Sequence, residues 1–266
     1  MRIIVPIKQV PETGAVKMDE ATGTMIREGV EAIVNPLDLY GIELALRLRD
    51  GAGSGEVVAV TMGPPKADKA IREAVAMGCD RGVLVSHKAF AGSDTWATSY
   101  VLAAAIRRLA PLDLIVCGER ATDGDTGQVG PGIAAFLDLP VVTYVSKVRD
   151  ADDASMVVER LVEDGHEVLE VQRPAIITVV KEVGDPRLPT LRGKQKARRA
   201  DVPVWGPDDL DVEPGNLGLN GSPTRVVKIH KPTVARQCEK LIANDGESMA
   251  DAVERVVEFL KQKQLI

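Results

Sequence analysis

The chain has 266 residues, 45% apolar and 27% charged, enough to bury one large or two small cores, which excludes a peptide or a stapled mini-protein. Aromatic residues make up only 3%, so the core is expected to be aliphatic, and a net charge of -6 argues against nucleic acid as a partner unless basic residues gather in one place. Cys79, Cys117 and Cys238 are widely spaced and form no C-x-x-C, which indicates neither a disulfide framework nor a zinc site.

The N-terminal run Met1-Arg-Ile-Ile-Val-Pro-Ile-Lys8 is shorter than a signal peptide needs, and no stretch approaches the ~18 apolar residues of a membrane span. A cytoplasmic protein is expected. Short runs rich in Val, Ile and Leu predict strands at Arg2 to Lys8, Glu56 to Thr61, Gly82 to Val85 and Asp113 to Cys117. Helical patterns lie between them: Leu39, Ile42, Ala45 and Leu46 mark one face, Ala67 to Met77 a second helix and Asp94 to Leu109 a third. Strands separated by such helices mean right-handed crossovers, so the predicted fold class is α/β, a doubly wound, mostly parallel, Rossmann-like sheet.

Two excursions are expected. Val16-Lys-Met and Thr-Met-Ile26 suggest a hairpin turned at Thr22-Gly23. A small antiparallel section is predicted over Val141 to Val180, from strand-like Val145 to Val148, Met156 to Leu161, Glu167 to Val171 and Ala175 to Val180, the last started by Pro174. From Pro203 onward prolines and acids predict an extended C-terminal arm, so the domains are read as 1–202 and 203–266. A final helix is predicted with Ser248 as cap and an apolar stripe through Met249, Ala252, Val253, Val256, Val257 and Leu260, folded back on its own domain or docked on a partner subunit.

The fourth strand runs into Cys117-Gly-Glu-Arg-Ala-Thr-Asp-Gly-Asp-Thr-Gly-Gln-Val-Gly-Pro-Gly132, after which Ile133, Ala134, Phe136 and Leu137 resume a helical pattern. A loop leading from a strand's carboxyl end to a helix N-terminus suits a phosphate, and the same composition also suits a flexible, capped loop. Asp123 and Asp125 fit Mg2+ ligation beside a phosphate, turn formation or ribose hydrogen bonding. Asn35-Pro36-Leu37-Asp38 reads as a helix start with Asn35 as cap and Pro36 at the first position. The loops Pro6 to Thr13, Met62 to Pro65 and Ser86 to Thr95 share that rim of the sheet, where ligands of open parallel sheets settle.

Gly51-Ala-Gly-Ser-Gly55 follows a helix and precedes a strand, the reverse of the dinucleotide fingerprint, and no phosphate-binding P-loop occurs. His87, His166 and His230 stand far apart and read as surface or turn histidines, so no catalytic side chain and no metal site is assigned. Residues 181 to 199 carry a local charge of +5 and leave the rest of the chain at -11. Such a segment is a solvated loop or a steering surface, and Leu188-Pro-Thr-Leu191 gives it an apolar tip of the kind a docking loop presents.

Six segments in this order resemble the beta subunit of electron-transfer flavoproteins: Lys8-Gln-Val-Pro-Glu-Thr13, Asn35-Pro-Leu-Asp38, Thr61-Met-Gly-Pro-Pro65, Ala76-Met-Gly-Cys-Asp80, Gly124-Asp-Thr-Gly-Gln-Val-Gly-Pro131 and Thr190-Leu-Arg-Gly-Lys-Gln-Lys-Ala-Arg-Arg199. The resemblance implies an electron carrier paired in a heterodimer with an alpha subunit that holds the mobile FAD. It places adenine-nucleotide binding at Pro6, Asn35, Pro36, Leu37, Asp38 and Met62, and along the glycine-rich run at Gly118, Arg120, Asp123, Gly124, Asp125, Thr126, Gly127, Gln128 and Val129. It makes Asp185 to Arg199 a recognition loop, with Leu191 as anchor for an acyl-CoA dehydrogenase and Arg192, Lys194 and Lys196 as its basic neighbours.

Within the family, Pro11-Glu-Thr13, Gly63-Pro-Pro65, Phe90-Ala-Gly-Ser-Asp-Thr-Trp-Ala-Thr-Ser99 and Ser222-Pro-Thr224 resemble the nitrogen-fixation-associated, electron-bifurcating branch, which implies FAD here in place of AMP. Thr95 and Thr98 are the hydroxyls expected beside an isoalloxazine. The sequence departs from the family's usual residues at Glu119, Arg120 and Thr122. The electron routes implied run between acyl-CoA dehydrogenases and NADH, ferredoxin or flavodoxin, or a membrane-associated quinone oxidoreductase. The alternatives are a non-bifurcating carrier with structural AMP and, from the bare fold, a nucleotide-hydrolysing or adenylating enzyme.

Overall fold

Arg2–Pro6 forms β1, and both of its faces are covered: Ile3 and Val5 belong to one apolar cluster and Ile4 to another on the opposite side. A strand buried twice over needs a continuous apolar run, which is what the sequence supplies there. The computed structural model describes residues 1–12, 17–18, 25–26, 32–227 and 238–266. Two small antiparallel pairs follow β1, with β2 (Gln9–Pro11) against β5 (Ala32–Val34) and β3 (Lys17–Met18) against β4 (Met25–Ile26). The second pair is the expected hairpin, and its Thr22-Gly23 turn lies outside the described residues.

The doubly wound body then alternates α1 (Pro36–Gly51), β6 (Glu56–Met62), α2 (Asp68–Met77), β7 (Arg81–Val85), α3 (Thr95–Arg108), β8 (Leu114–Gly118) and α4 (Val129–Leu137). A meander of β9 (Val141–Ala151), β10 (Ser155–Val162) and β11 (Gly165–Gln172) leads to β12 (Ala175–Val179). After α5 (Leu191–Arg199) comes β13 (Val204–Trp205) and the short helix α6 (Gly218–Gly221). The resulting nine-stranded sheet has the order β11-β10-β9-β12-β8-β1-β6-β7-β13. From β9 to β13 in that order every neighbouring pair is parallel, and only the pairs β9–β10 and β10–β11 are antiparallel.

Residues of α1 and α2 pack on the face that carries Ile3, Val57 and Leu114, and those of α3 and α4 on the face of Ile4, Val58 and Ile115. Strand order reverses direction between β1 and β8, so the loops leaving these two strands diverge to opposite faces and open a crevice at their carboxyl ends.

Several expectations need correction. Ala175–Val179 is not part of the antiparallel section: it enters the parallel sheet between β9 and β8, and its five residues, all buried, match a strand covered on both sides. The stretch after Pro203 is not wholly an extended arm. Val204–Trp205 adds an edge strand to β7, the Arg108 guanidinium lies 4.7 Å above the Trp205 ring, and Leu210 and Leu217 are buried in the α3–α4 cluster.

The chain separates into two compact units, Met1–Lys228 and Ile229–Ile266, so a boundary at 202/203 falls inside the first. In the second unit α7 (Gly246–Gln262) begins three residues earlier than expected, because Asp245 is the cap and accepts from Ser248 N at 2.7 Å. Ser248 closes the reciprocal half of the capping box, and Met249, Val253, Val256 and Phe259 are exposed. Among the described residues no helix is long and apolar enough to cross a membrane.

Ile115 lies at 0% exposure in the middle of β8, between strands on both sides and under α3 and α4. Ile115→Ala is expected to lower the unfolding free energy by about 2–5 kcal/mol in urea titration, the cost of a core cavity that neighbours cannot refill. A loss below ~1 kcal/mol would place that position outside the packed core.

Candidate functional site

Four loops meet at the carboxyl ends of the central strands, and between them lies a crevice of about 920 Å³. Pro6 and Lys8 continue β1, Met62 to Pro65 continue β6, Ser86 to Asp94 continue β7, and the run from Gly118 to the head of α4 forms the fourth wall. The glycine-rich loop ends where α4 begins, so the first-turn N–H groups of Val129 and Gly130 and the positive end of the helix dipole stand at that wall.

Two walls are tied by buried polar side chains. Asn35, fully buried, donates through Nδ2 to Asp38 Oδ1 and to the Arg120 carbonyl, both at 2.9 Å, and its Oδ1 accepts from Thr122 N at 3.2 Å. Pro36 occupies the first helical position as expected, but the Asn35 side chain does not cap α1; it crosses to the glycine-rich loop instead. Asp38 Oδ2 accepts from Lys8 N at 2.7 Å. Burial pushes the Asp38 carboxyl up to about 7, against the opposing pull of its Asn35 and Lys8 hydrogen bonds.

Gly118 sits where a Cβ would collide with Asp38 Oδ1 and come within 2.9 Å of the Leu37 carbonyl, so β8 and α1 approach each other only across a glycine. Gly127 has φ +63, the left-handed conformation in which glycine carries no steric cost.

Of the residues expected to bind a nucleotide, Pro6, Asp38, Met62, Thr95, Thr98, Gly118, Arg120, Gly124, Thr126, Gly127, Gln128 and Val129 line the crevice. Asn35, Pro36, Leu37, Asp123 and Asp125 do not. Asp123 is held by Lys8 Nζ at 2.6 Å and Asp125 by Arg120 Nε at 3.1 Å, while Glu119 pairs with the same Arg120 Nε at 3.4 Å. The departures at Glu119 and Arg120 thus form an ion-paired cluster of the loop's own charges.

The crevice also takes in Ser86, His87, Lys88 and Ser93, which reading by residue type left out. Their loop, Ser86 to Thr95, is expected on this rim from the sequence, which does not single them out. His87 Nδ1 accepts from Ala89 N at 3.1 Å, which leaves Nε2 to carry the proton of the neutral ring. Asp94 caps α3 by accepting from Ala97 N, and it also accepts from Thr224 N and Thr224 Oγ1 at 2.9 and 2.7 Å. With Asp94 N donating to Ser222 Oγ at 2.8 Å, Ser222-Pro-Thr224 is clipped to the head of α3 at the crevice rim.

The basic segment is more ordered than a solvated loop, because Leu191–Arg199 is a helix whose cap Thr190 accepts from Gly193 N at 2.9 Å. Arg187 pairs with Glu43 at 2.7 Å, Arg72 donates to the Ala197 carbonyl at 2.6 Å, and Lys196 Nζ donates to the Cys79 carbonyl at 3.1 Å. These contacts fix the base of the segment, while Leu188 and Leu191 remain 85% and 83% exposed. Arg192 and Lys194 are exposed beside them.

Fold and crevice place the chain among α/β proteins that hold a ligand at the switch point of a parallel sheet. A family model described as the electron transfer flavoprotein domain matches residues 22–210. The electron transfer flavoprotein subunit beta of Thermoanaerobacterium thermosaccharolyticum is 46% identical over 96% of this chain and 98% of its own. The caffeyl-CoA reductase-Etf complex subunit CarD of Acetobacterium woodii is 44% identical over the full length of both, and protein FixA of Azorhizobium caulinodans 41% over 99% of this chain and 95% of its own. The chain therefore belongs to the electron transfer flavoprotein family, on its beta-subunit side, and its function is electron transfer.

A carboxyl raised from 3.8 to about 7 by folding makes the native state bind a proton more tightly than the unfolded one, so its contribution to stability falls as pH rises through that window. Relative to Asp38→Asn, wild type is expected to lose stability between pH 4 and 7, by about 1.4 kcal/mol per pH unit at most, and to run parallel above pH 7. Parallel thermal-unfolding curves across the whole range would show an ordinary carboxylate.

Proposed function

We propose that this chain is the beta subunit of a heterodimeric electron-transfer flavoprotein that pairs with an alpha subunit and binds FAD, in place of AMP, in the crevice at the sheet's switch point. The observation that carries the reading is the crevice itself. At about 920 Å³ it lies near the top of the range of roughly 300–1,000 Å³ typical of small-molecule sites. It runs from the glycine-rich wall after β8, across the loops of β1 and β6, to Ser86, His87 and Lys88 after β7. A mononucleotide would occupy one end and leave the other to solvent.

The residues fit such a group. The N–H donors and dipole at the head of α4 suit a pyrophosphate, and Gly118, Gly124 and Gly127 let backbone approach it. The hydroxyls of Thr95 and Thr98, on the first turn of α3 that Ser99 joins to the head of α4, supply further donors, with Met62 and Leu102 as apolar wall. A bound flavin supplies the redox chemistry; the chain supplies position, hydrogen bonds and exclusion of water. Burial raises the Cys117 thiol well above its usual range, so the sulfur at the crevice floor stays protonated and acts as packing.

The relatives' names support assembly into larger complexes, including a caffeyl-CoA reductase-Etf complex and an acryloyl-CoA reductase electron transfer subunit gamma of Anaerotignum propionicum, 40% identical. On this reading the heterodimer accepts electrons from NADH and divides them between an acyl-CoA dehydrogenase and a low-potential carrier such as ferredoxin or flavodoxin, or passes them to a membrane-associated quinone oxidoreductase. Leu188 and Leu191, exposed on an anchored basic base, are the surface offered to the dehydrogenase.

Acid release and chromatography of the purified heterodimer is expected to give two FAD and no AMP; one of each would replace this reading with a one-flavin carrier. Leu191→Ala is expected to slow electron transfer to an acyl-CoA dehydrogenase by roughly tenfold or more, as loss of an interface anchor does, with nucleotide content unchanged. Unaltered transfer would remove the docking assignment.

A further inference from the structure

Tyr144 has φ +58, a left-handed conformation that a bulky side chain rarely takes and that glycine would adopt without cost. The cause is a bulge in β9: Val142 pairs with Ile177 and Val145 with Val179, so three residues of β9 span two of β12. Tyr144 N donates to Thr178 Oγ1 at 3.1 Å, which fixes the bulge to the neighbouring strand. The far end of the side chain reaches the glycine-rich loop, where a Cβ on Gly127 would stand 3.7 Å from Tyr144 Oη. Thr178 completes the arrangement from the other side, since a Cβ on Gly130 would press on its Cγ2 at 2.7 Å.

One bulge thus touches the turn that ends the loop and, through Thr178, the first turn of α4. Tyr144 does not line the crevice and is 41% exposed, so neither ligand contact nor core packing accounts for a strained tyrosine there. Strained backbone is retained where the geometry it produces is used, and a bulge of this kind redirects a side chain out of the strand's alternation.

We propose that Tyr144 is a positioning residue of the nucleotide site: the left-handed bulge aims its ring at Gly127, and together with Thr178 it braces the loop that presents the α4 N–H groups to the ligand. The proposal rests on the nucleotide reading of the crevice and adds the device that holds one wall of it. A braced wall lowers the ordering cost of binding, so loosening it should show chiefly in how long the ligand stays.

The test compares Tyr144→Gly and Tyr144→Phe with wild type in the purified heterodimer. Tyr144→Gly removes the ring and relieves the backbone, so the thermal midpoint of nucleotide-stripped protein should hold or rise. Amide hydrogen exchange across residues 124–130 should quicken and nucleotide release should accelerate, each by about tenfold. Tyr144→Phe keeps the ring and loses only Oη, the atom nearest Gly127, so it should fall between wild type and Tyr144→Gly in exchange and release. Exchange and release unchanged in Tyr144→Gly would overturn the proposal, and so would weaker subunit association at unchanged exchange, which would make the exposed ring an interface residue. Faster exchange in a heterodimer that carries no nucleotide would leave the brace standing and defeat the nucleotide reading instead.

Discussion

The Asn35 side chain is the contact on which the geometry of the crevice depends. Its carboxamide is fully buried, and it spends its donors on Asp38 and on the Arg120 carbonyl and its acceptor on Thr122 N. One group therefore sets the distance between the head of α1 and the glycine-rich loop. An isosteric aliphatic residue would leave a backbone carbonyl, a backbone N–H and a carboxyl short of partners in a buried place, a larger penalty than the loss of any one hydrogen bond. Gly118 sets the same spacing from the other direction, because any side chain there would push β8 away from Asp38 and Leu37.

The doubly wound body could be read from sequence because its strands are short apolar runs and its helices have one apolar face; β1, β6, β7 and β8 all lie where the Val- and Ile-rich runs fall. What went astray was pairing. Ala175–Val179 has the composition of any buried strand, and nothing local says whether it continues the meander before it or returns to the centre of the sheet. Proline-rich texture likewise hid β13, since what docks it is pairing with β7, the Arg108 guanidinium over Trp205 and packing of Trp205 on the α3–α4 cluster, none of them local in sequence.

At the site, the glycine-rich loop was legible because strand, loop and helix follow one another in the chain. The loop from Ser86 to Thr95 was placed on the same rim, but not the individual parts of Ser86, His87 and Lys88, since each is an ordinary surface residue type. Asn35 was read as a helix cap because capping is a local interaction, whereas beside Asp38 its side-chain partners are Arg120 and Thr122, some 85 residues away. Tyr144 offered no signal at all, since a left-handed conformation at a tyrosine is imposed by strand register and not by residue preference.

The basic segment shows how charge and shape divide between two tasks. Arg187 is neutralised by Glu43 and Asp50, and Lys196 donates to a backbone carbonyl, so these charges serve to hold the segment on the body. Arg192, Lys194, Arg198 and Arg199 stay exposed and make this segment a positive lobe in a chain of net charge -6. Such a lobe acts over about a Debye length, roughly 8 Å at physiological salt; on the proposed docking role it would orient an approaching acidic partner without binding it tightly. Residence then depends on apolar contact at close range, and Leu188 and Leu191 project from the same lobe. A carrier that docked its partners as proposed would be served by that separation: the field would set the rate of encounter, and a small apolar tip on a fixed base would limit the dwell time.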